Sequence, residues 1–195
     1  MKKARQLKKI LEFIAEAGML KRVQRSGWSV LGIKGAESVA DHSFRCAVLG
    51  YVLAHMEKVS PYKVLLMTLF NDIHEARITD LHKMAQTYLD TQEAEDTCYT
   101  AQVRPLPFSM RTELESLHCE YRRQHSQESI IARDADILEC LIQAKEYQEH
   151  GFLQAAKFMH KAPKFLKTKS AKVLWQLAKK TALNDWWFRL SSFKR

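Results

Sequence analysis

The sequence predicts an all-α fold, specifically a bundle of about eight helices. Only six Gly and four Pro occur among 195 residues, so the chain carries few helix breakers. Apolar side chains also recur at the three- and four-residue spacing of amphipathic helices. The length favours one domain, residues 1–195, with a core over about 20–151 and a basic helical region over 152–195.

The first predicted helix covers residues 3–17 and is followed by Gly18, a residue favoured just beyond a helix end. A loop-like segment over residues 19–35 then carries Arg25 and Trp28. An arginine can hold a phosphate through its fork of donors, and a tryptophan can stack on a sugar or base. Taken alone, however, these two residues are more typical of a surface arginine and a tryptophan at the edge of the core.

A long helix is predicted over residues 37–57, with His42 in its first turns. A histidine between apolar neighbours is usually a hydrogen-bonded core residue, and it becomes a candidate ligand only if acidic residues join it. The apolar stripe expected to face the core contains Val39, Phe44, Ala47, Val48, Tyr51 and Val52.

The next predicted helix, residues 61–76, changes from apolar to polar near its end. Ser60 can cap it and Pro61 suits its first position. Its last turns contain Asn71, Asp72, His74 and Glu75. Apolar packing draws such groups toward the interior, where each needs a partner, a proton or a metal. This stretch is therefore the strongest candidate for a functional site.

Three further helical stretches are predicted. The first runs over residues 84–105 and ends in a loop at Pro107, and the second covers 109–128. The third covers 129–150, with Asp134 and Asp136 on different faces. Near the C-terminus, an apolar stripe contains Val173, Leu174, Leu177, Ala178, Leu183, Trp186, Trp187 and Leu190. The paired tryptophans predict docking on the body of the protein or on a second subunit, which favours a homodimer.

The net charge of +9 is concentrated in the C-terminal fifth of the chain. Residues 157–195 hold eleven Lys or Arg and one acid, whereas the preceding residues hold 20 basic and 21 acidic side chains. Such a patch can attract nucleic acid. Because no nucleic-acid reader motif accompanies it, a solvated helix face is the favoured interpretation.

The four cysteines have no C-x-x-C spacing, which favours free thiols in a reducing cytoplasm over disulfides or a zinc knuckle. No apolar run approaches the roughly 18–20 residues that cross a bilayer, so no membrane association is expected. Glu12 and Glu16 interrupt the apolar part of the N-terminal stretch, which argues against a signal peptide.

Three stretches together resemble the HD-domain metal-dependent phosphohydrolases. These are ESVADHS at 37–43, NDIHEARITD at 71–80 and RDADILE at 133–139. The resemblance runs from about residue 20 to 151 and is closest to the branch of bacterial 5'-deoxynucleotidases and their HDDC2-like relatives. It implies a divalent metal site formed by His42, Asn71, Asp72 and Asp136. It also implies catalytic roles for Glu75 and Asp80 and substrate-binding roles for Arg25 and Trp28.

The implied activity is removal of phosphate from nucleoside 5'-monophosphates, with Mn, Co, Fe, Ni or Zn all compatible with imidazole and carboxylate ligands. One departure weakens this expectation, since the family has a second ligand histidine where Asn71 stands. His74, one turn away, is a candidate substitute. The alternative is a catalytically silent HD-fold protein that binds a nucleotide, a protein or a nucleic acid. The family also commonly has Gly at the position of Thr79 and Pro at that of His82, so the direction of Asp80 is open.

Overall fold

A computed structural model describes residues 2–190, apart from the side chains of Lys2 and Phe188. Within these residues the chain forms twelve α-helical segments and no β-strand, which confirms the all-α class. Five of the twelve have six residues or fewer, which is why the count exceeds the expected eight or so. The segments are α1 Lys2–Ala17, α2 Ser26–Ser29, α3 Val39–Glu57, α4 Pro61–Phe70, α5 Glu75–Ile78, α6 Lys83–Gln86, α7 Thr91–Val103, α8 Phe108–Arg123, α9 Gln127–Glu149, α10 Ala156–Lys161, α11 Lys169–Ala178 and α12 Asp185–Leu190.

The centre of the bundle is formed by α3, α4 and α9, whose apolar side chains share one core cluster. Gly50 of α3 lies where this helix crosses α4 most closely. A β-carbon at this position would lie 3.0 Å from the side chain of Thr68 and 3.1 Å from that of Val64. The absent side chain thus lets the helix that carries His42 approach the helix that leads to Asp72.

Trp175 of α11 joins this core cluster and is almost fully buried. The C-terminal region therefore packs on α9, although by a residue outside the predicted stripe. Two members of that stripe, Val173 and Leu177, are exposed instead. The helix is amphipathic as expected, but the assignment of its buried face was wrong in part. Leu174 and Ala178 of the predicted stripe pack against the core cluster, and Ala171 and Trp175 are the buried residues beside them.

The prediction for the buried face of α3 was also wrong in part. Val39 and Ala47 are buried, but Phe44 is 69% exposed, and Val48 and Tyr51 are about half exposed. The buried face instead includes His42, Ser43, Cys46 and Gly50, in addition to apolar residues. Polar and small residues lie inward here because the helix faces a polar cluster and a close helix crossing rather than a purely apolar core.

The predicted helix boundaries shift where polar side chains or turns intervene. The helix predicted over 61–76 ends at Phe70, and a tight turn over residues 71–74 precedes α5. The stretch expected as one helix over 84–105 is divided into α6 and α7. The helix expected over 109–128 ends at Arg123, because Gln124 adopts a left-handed conformation (φ 53°).

All four cysteines are free thiols, as predicted. Among the helices of residues 2–190, none combines the length and apolarity that crossing a bilayer requires.

Candidate metal and phosphate site

The site begins at the N-terminus of α3, where a capping box fixes the helix start. The hydroxyl of Ser38 accepts a hydrogen bond from the backbone N–H of Asp41, and the Asp41 carboxylate accepts from the backbone N–H of Ser38. His42 follows directly and is almost completely buried. The ESVADHS stretch thus starts the helix and places His42 in a buried position of its first turn.

Two predicted carboxylates converge on the Nε2 atom of His42. Asp72 Oδ2 lies 3.4 Å from Nε2, and Asp136 Oδ1 lies 3.3 Å from it. Asp72 comes from the turn after α4 and Asp136 from α9, so three separate elements meet here. Burial alone would raise the pKa of Asp136, but its contact with His42 and the nearby Arg133 hold this pKa below its ordinary value.

The opposite ring nitrogen of His42 is also engaged. Its Nδ1 atom lies 2.5 Å from Oε2 of Glu139, a fully buried residue of α9. Burial lowers the pKa of His42, but Cys46 and the carboxylates of Asp136 and Asp72 outweigh it and raise this pKa well above its ordinary value. A metal that binds Nε2 must therefore displace a proton.

Asn71 takes part in the same cluster through a hydrogen bond. Its Nδ2 atom donates to Oδ1 of Asp72 over 2.7 Å. The turn over residues 71–74 thus directs both side chains toward the site. His74 is buried in the same turn, and its Nδ1 atom has no hydrogen-bond partner among the described residues. It belongs to neither group of clustered potential ligands found among the described residues.

Arg25 lies against the acidic cluster, and its Nη1 atom is 3.8 Å from Oδ2 of Asp72. Burial opposes the charge of Arg25, but its pKa is raised well above the ordinary value by four carboxyl groups. These belong to Asp72, Asp80, Asp136 and Glu75. The structure therefore brings all four predicted acids within electrostatic range of the predicted phosphate-binding arginine.

Glu75 lies at the start of α5 and is buried. Its Oε2 atom has no hydrogen-bond partner within the described part of the chain. Burial, followed by the charges of Asp72 and Asp80, raises the pKa of Glu75 well above its ordinary value. A buried carboxyl group with a raised pKa and an unused oxygen is suited to proton transfer.

Asp80 links the turn after α5 to the segment that contains Arg25. Its Oδ2 atom accepts hydrogen bonds from the backbone N–H of Ser26 over 2.6 Å and from the Ser26 hydroxyl over 3.3 Å. The preceding residue, Thr79, has φ 63° and ψ 168°, a conformation favourable almost only for glycine. A threonine at this position therefore strains the turn.

Trp28 occupies a different environment from the other predicted residues. It is 2% exposed and packs against the rings of Tyr147 and Phe158, with ring centroids at 5.1 and 4.7 Å. Its indole N–H donates to Oε1 of Glu37 over 2.8 Å. In this arrangement the ring anchors the segment that follows Arg25, and its faces are covered by protein.

Sequence reasoning missed two groups at the site, Glu139 and the acid Glu37. Glu139 lies one helical turn after Asp136, and its position among apolar residues of α9 was the available signal. Burial, followed by the charge of Glu139, raises the pKa of Glu37 to about 7. Cys46 is also close, with Sγ at 3.4 Å from Nε2 and 3.9 Å from Nδ1 of His42. These similar distances place the sulfur beside the ring and off the axis of the Nε2 lone pair.

Two pairs of donor atoms have separations that suit ligands of one divalent metal ion. Metal–nitrogen and metal–oxygen distances are about 2.0–2.2 Å, so two such ligands at a tetrahedral angle lie about 3.4 Å apart. The observed separations from His42 Nε2 to Asp72 and Asp136 are 3.4 and 3.3 Å. A combination of one imidazole and two carboxylates suits Mn, Fe, Co, Ni or Zn.

Comparison with known proteins identifies the family. A model of the HD domain matches residues 17–176. This chain belongs to the HD-domain family. Human 5'-deoxynucleotidase HDDC2 is 31% identical over 162 residues, which cover 77% of this chain and 79% of the human protein. The Xenopus laevis protein of the same name is 29% identical over 143 residues, 73% of this chain and 71% of its own length.

Two solved structures share the fold of this chain. A protein of Pyrococcus horikoshii superposes with a TM-score of 0.74 and 31% identity, covering 87% of this chain and 96% of its own. A protein of Magnetospirillum magnetotacticum shares the fold at 20% identity, with a TM-score of 0.71 over 90% of this chain and 92% of its own. Membership of the HD-domain family and the clustered donor atoms together imply a divalent metal at this site.

Proposed function

We propose that this protein is a metal-dependent phosphohydrolase that removes phosphate from nucleoside 5'-monophosphates. The observation that carries the proposal is the convergence of Asp72 and Asp136 on Nε2 of His42, beside Arg25. The 5'-deoxynucleotidase names of the curated relatives support the substrate class.

Each group has a role that follows from its surroundings. A divalent ion held by His42, Asp72 and Asp136 would neutralise phosphate charge and make a water molecule more acidic. The guanidinium of Arg25 binds the phosphate oxygens. Glu75 accepts the proton of the attacking water, because one of its oxygens is free and a raised pKa makes its carboxylate a stronger base.

The products follow from a simple balance of bonds. The water oxygen bonds to phosphorus while the bond from phosphorus to the sugar oxygen breaks, and a proton passes to that leaving oxygen. Asp80 is assigned to the sugar side of the site, where its contact with Ser26 holds it close to the Arg25 segment. The substrate contact proposed for Trp28 requires the covered ring to become accessible, so its anchoring role is the better supported one.

A catalytically silent HD-fold protein that binds a nucleotide or a partner is the alternative function. One specific observation favours it, since Nη1 of Arg133 donates to Oδ2 of Asp136 over 2.7 Å. A guanidinium thus already occupies one oxygen of a proposed ligand. Asn71 adds to this, because an amide oxygen is a poorer ligand for these metals than an imidazole.

Metal content and phosphate release separate the two functions. Purified protein should bind a divalent metal and release phosphate from a panel of nucleoside 5'-monophosphates and their 2'-deoxy forms. Glu75→Ala should lower turnover by at least about 100-fold while nucleotide binding persists, because its role lies in the chemical step. Asp136→Ala should lose metal and activity together. Nucleotide binding without metal uptake or phosphate release would establish the silent function.

We further propose that the protein is a cytoplasmic homodimer in which the C-terminal region, residues 152–195, belongs to the single domain. Four free thiols support a reducing compartment, and burial of Trp175 supports one domain. Exposure of more than half of Trp186 supports a subunit contact through α12. Light scattering should show a dimer that dissociates in Trp186→Ala, and a monomeric wild type would refute the dimer.

A further inference from the structure

Glu139 is a buried acid whose position requires an explanation. It lies in the middle of α9, is 0% exposed, and has the core residues Leu138 and Leu141 as near neighbours in sequence. Transfer of a carboxylate into such surroundings is strongly unfavourable unless its oxygens are hydrogen-bonded or paired with charge. The partners of Glu139 therefore indicate what it does.

Both oxygens of Glu139 are engaged by residues of α3. Oε2 lies 2.5 Å from Nδ1 of His42. Oε1 accepts hydrogen bonds from Nε and Nη2 of Arg45, over 2.9 and 2.8 Å. The carboxylate thus bridges an imidazole and a guanidinium that lie three residues apart on one helix.

Arg45 is itself held by two other residues of α9. Its Nη1 atom donates to both carboxylate oxygens of Glu146 over 2.8 Å, and its Nη2 atom donates to Oε1 of Gln143 over 2.6 Å. Glu139, Gln143 and Glu146 are spaced four and three residues apart, so they form one stripe of the helix. Arg45 therefore fixes the carboxylate of Glu139 in position from the side opposite His42.

The geometry points to Glu139 as a positioning residue for His42, with Arg45 as its support. The carboxylate accepts a hydrogen bond from the Nδ1–H group, which assigns the metal-binding role to Nε2 and aims this atom at Asp72 and Asp136. A carboxylate that accepts a hydrogen bond from the other ring nitrogen orients a ligand histidine in this way and makes it more basic. The link to metal binding depends on the proposed function, whereas the ring orientation does not.

Glu139→Gln is the sharpest test because it keeps the size of the side chain. A glutamine has one acceptor oxygen, so it can satisfy His42 or Arg45, and its NH₂ group then faces the other donor. Glu146→Gln is the matched control, since it changes another contact of Arg45 on the same helix without touching His42. Circular dichroism and chemical unfolding establish that both variants fold.

The first measurement is a long-range ¹H–¹⁵N spectrum of the metal-free protein, which needs neither metal nor activity. We expect a proton on Nδ1 of His42, with a strongly downfield resonance because of the short bond to a carboxylate. Glu139→Gln should move this resonance upfield, whereas Glu146→Gln should leave it in place. An Nδ1 atom without a proton in the wild type, or a resonance that Glu139→Gln leaves unchanged, would overturn the inference.

The second measurement is the affinity for Zn²⁺ and for Mn²⁺, determined by competition with a chelator. Glu139→Gln should bind both ions about 10- to 100-fold more weakly than the wild type, and Glu146→Gln should bind as the wild type does. Equal affinity in Glu139→Gln and wild type overturns the inference. If wild type binds neither ion, the proposed function fails and the Nδ1 resonance alone decides whether Glu139 orients His42. If Glu139→Gln does not fold, the wild-type resonance decides in the same way.

Discussion

Replacement of Asn71 by histidine tests the position at which the resemblance to the family implies a second ligand histidine. The Asn71 amide lies 2.7 Å from Asp72 Oδ1, so a side chain at this position reaches the proposed ligands. An imidazole in its place supplies a stronger ligand for a first-row divalent metal. We expect the dissociation constant for such a metal to fall at least about tenfold, which corresponds to about 1.4 kcal/mol.

The same substitution should lower the stability of the metal-free protein. It removes the hydrogen bond to Asp72, and such a bond contributes about 1 kcal/mol to the free energy of unfolding. Asn71→His should therefore be less stable than wild type without metal. At a metal concentration that is about 100 times the dissociation constant of the variant, binding adds about 2.7 kcal/mol to the variant and about 1.4 kcal/mol to wild type. The difference of about 1.3 kcal/mol exceeds the loss of the hydrogen bond, so the order of stability is reversed.

The assay is unfolding by denaturant over a titration of metal, accompanied by phosphate release at limiting and at saturating metal. Asn71→Ala is the matched control, because it loses the hydrogen bond and gains no ligand. His74→Ala tests the proposed substitute ligand and should leave the affinity unchanged, since the Nδ1 atom of His74 has no hydrogen-bond partner among the described residues, the proposed ligands included. Equal affinities in wild type, Asn71→His and Asn71→Ala would refute the reasoning about this position. Loss of metal in His74→Ala would show that the substitute has replaced Asn71.

Three further predictions concern the surroundings of the site. Thr79→Gly should raise the free energy of unfolding by about 1 kcal/mol. The substitution relieves backbone strain of about 1–3 kcal/mol at residue 79, and the greater conformational entropy of glycine in the unfolded chain offsets part of this gain. A variant that is less stable than wild type in urea would contradict the strained turn. Asp134→Asn should lower the free energy of unfolding by about 2–3 kcal/mol. The reason is that Asp134 accepts hydrogen bonds from the backbone N–H groups of Lys167 and Thr168 and from the Thr168 hydroxyl, at the start of α11. An unchanged midpoint in denaturant would show that these hydrogen bonds do not stabilise the protein. The pKa of Glu37 is about 7 in the folded protein against an ordinary 4.5, so the folded state binds this proton more tightly than the unfolded state does. As pH rises from 4.5 to 7, the free energy of unfolding of wild type should therefore fall by up to about 3 kcal/mol relative to that of Glu37→Gln. A constant difference between the two proteins across this range would refute the buried-acid assignment.

The sequence was sufficient to predict the helical class and most of the polar residues that meet at the site. Periodicity and caps locate helices because they act between residues three or four positions apart. The polar residues Asn71, Asp72 and Glu75 directly after an apolar helix indicated the candidate site, because this pattern is also local in sequence. Recognition of the family then added His42 and Asp136, which no local pattern connects.

The contacts that sequence reasoning missed are those between distant elements. Glu139 and His42 are 97 residues apart, and their pairing depends on the register of α9 against α3. The inward face of α3 was assigned wrongly for a related reason. Hydrophobicity places Phe44 inside, but His42, Ser43 and Gly50 face inward because a polar cluster and a close helix crossing lie there. Neither the polar cluster nor the close helix crossing can be predicted from local helix propensity.

The charges of the site explain how Asn71 can be accommodated without loss of the fold. Asp72 and Asp136 each lie near a guanidinium, at 3.8 Å from Arg25 and 2.7 Å from Arg133 respectively. Each buried carboxylate is therefore balanced by a protein cation, and the cluster does not require a metal to be stable. A neutral amide at position 71 preserves this balance, so the substitution lowers the expected affinity for metal rather than the stability of the protein. Arg133 then competes with a metal for Asp136, so half-occupancy of this site requires a higher metal concentration than it would without this ion pair.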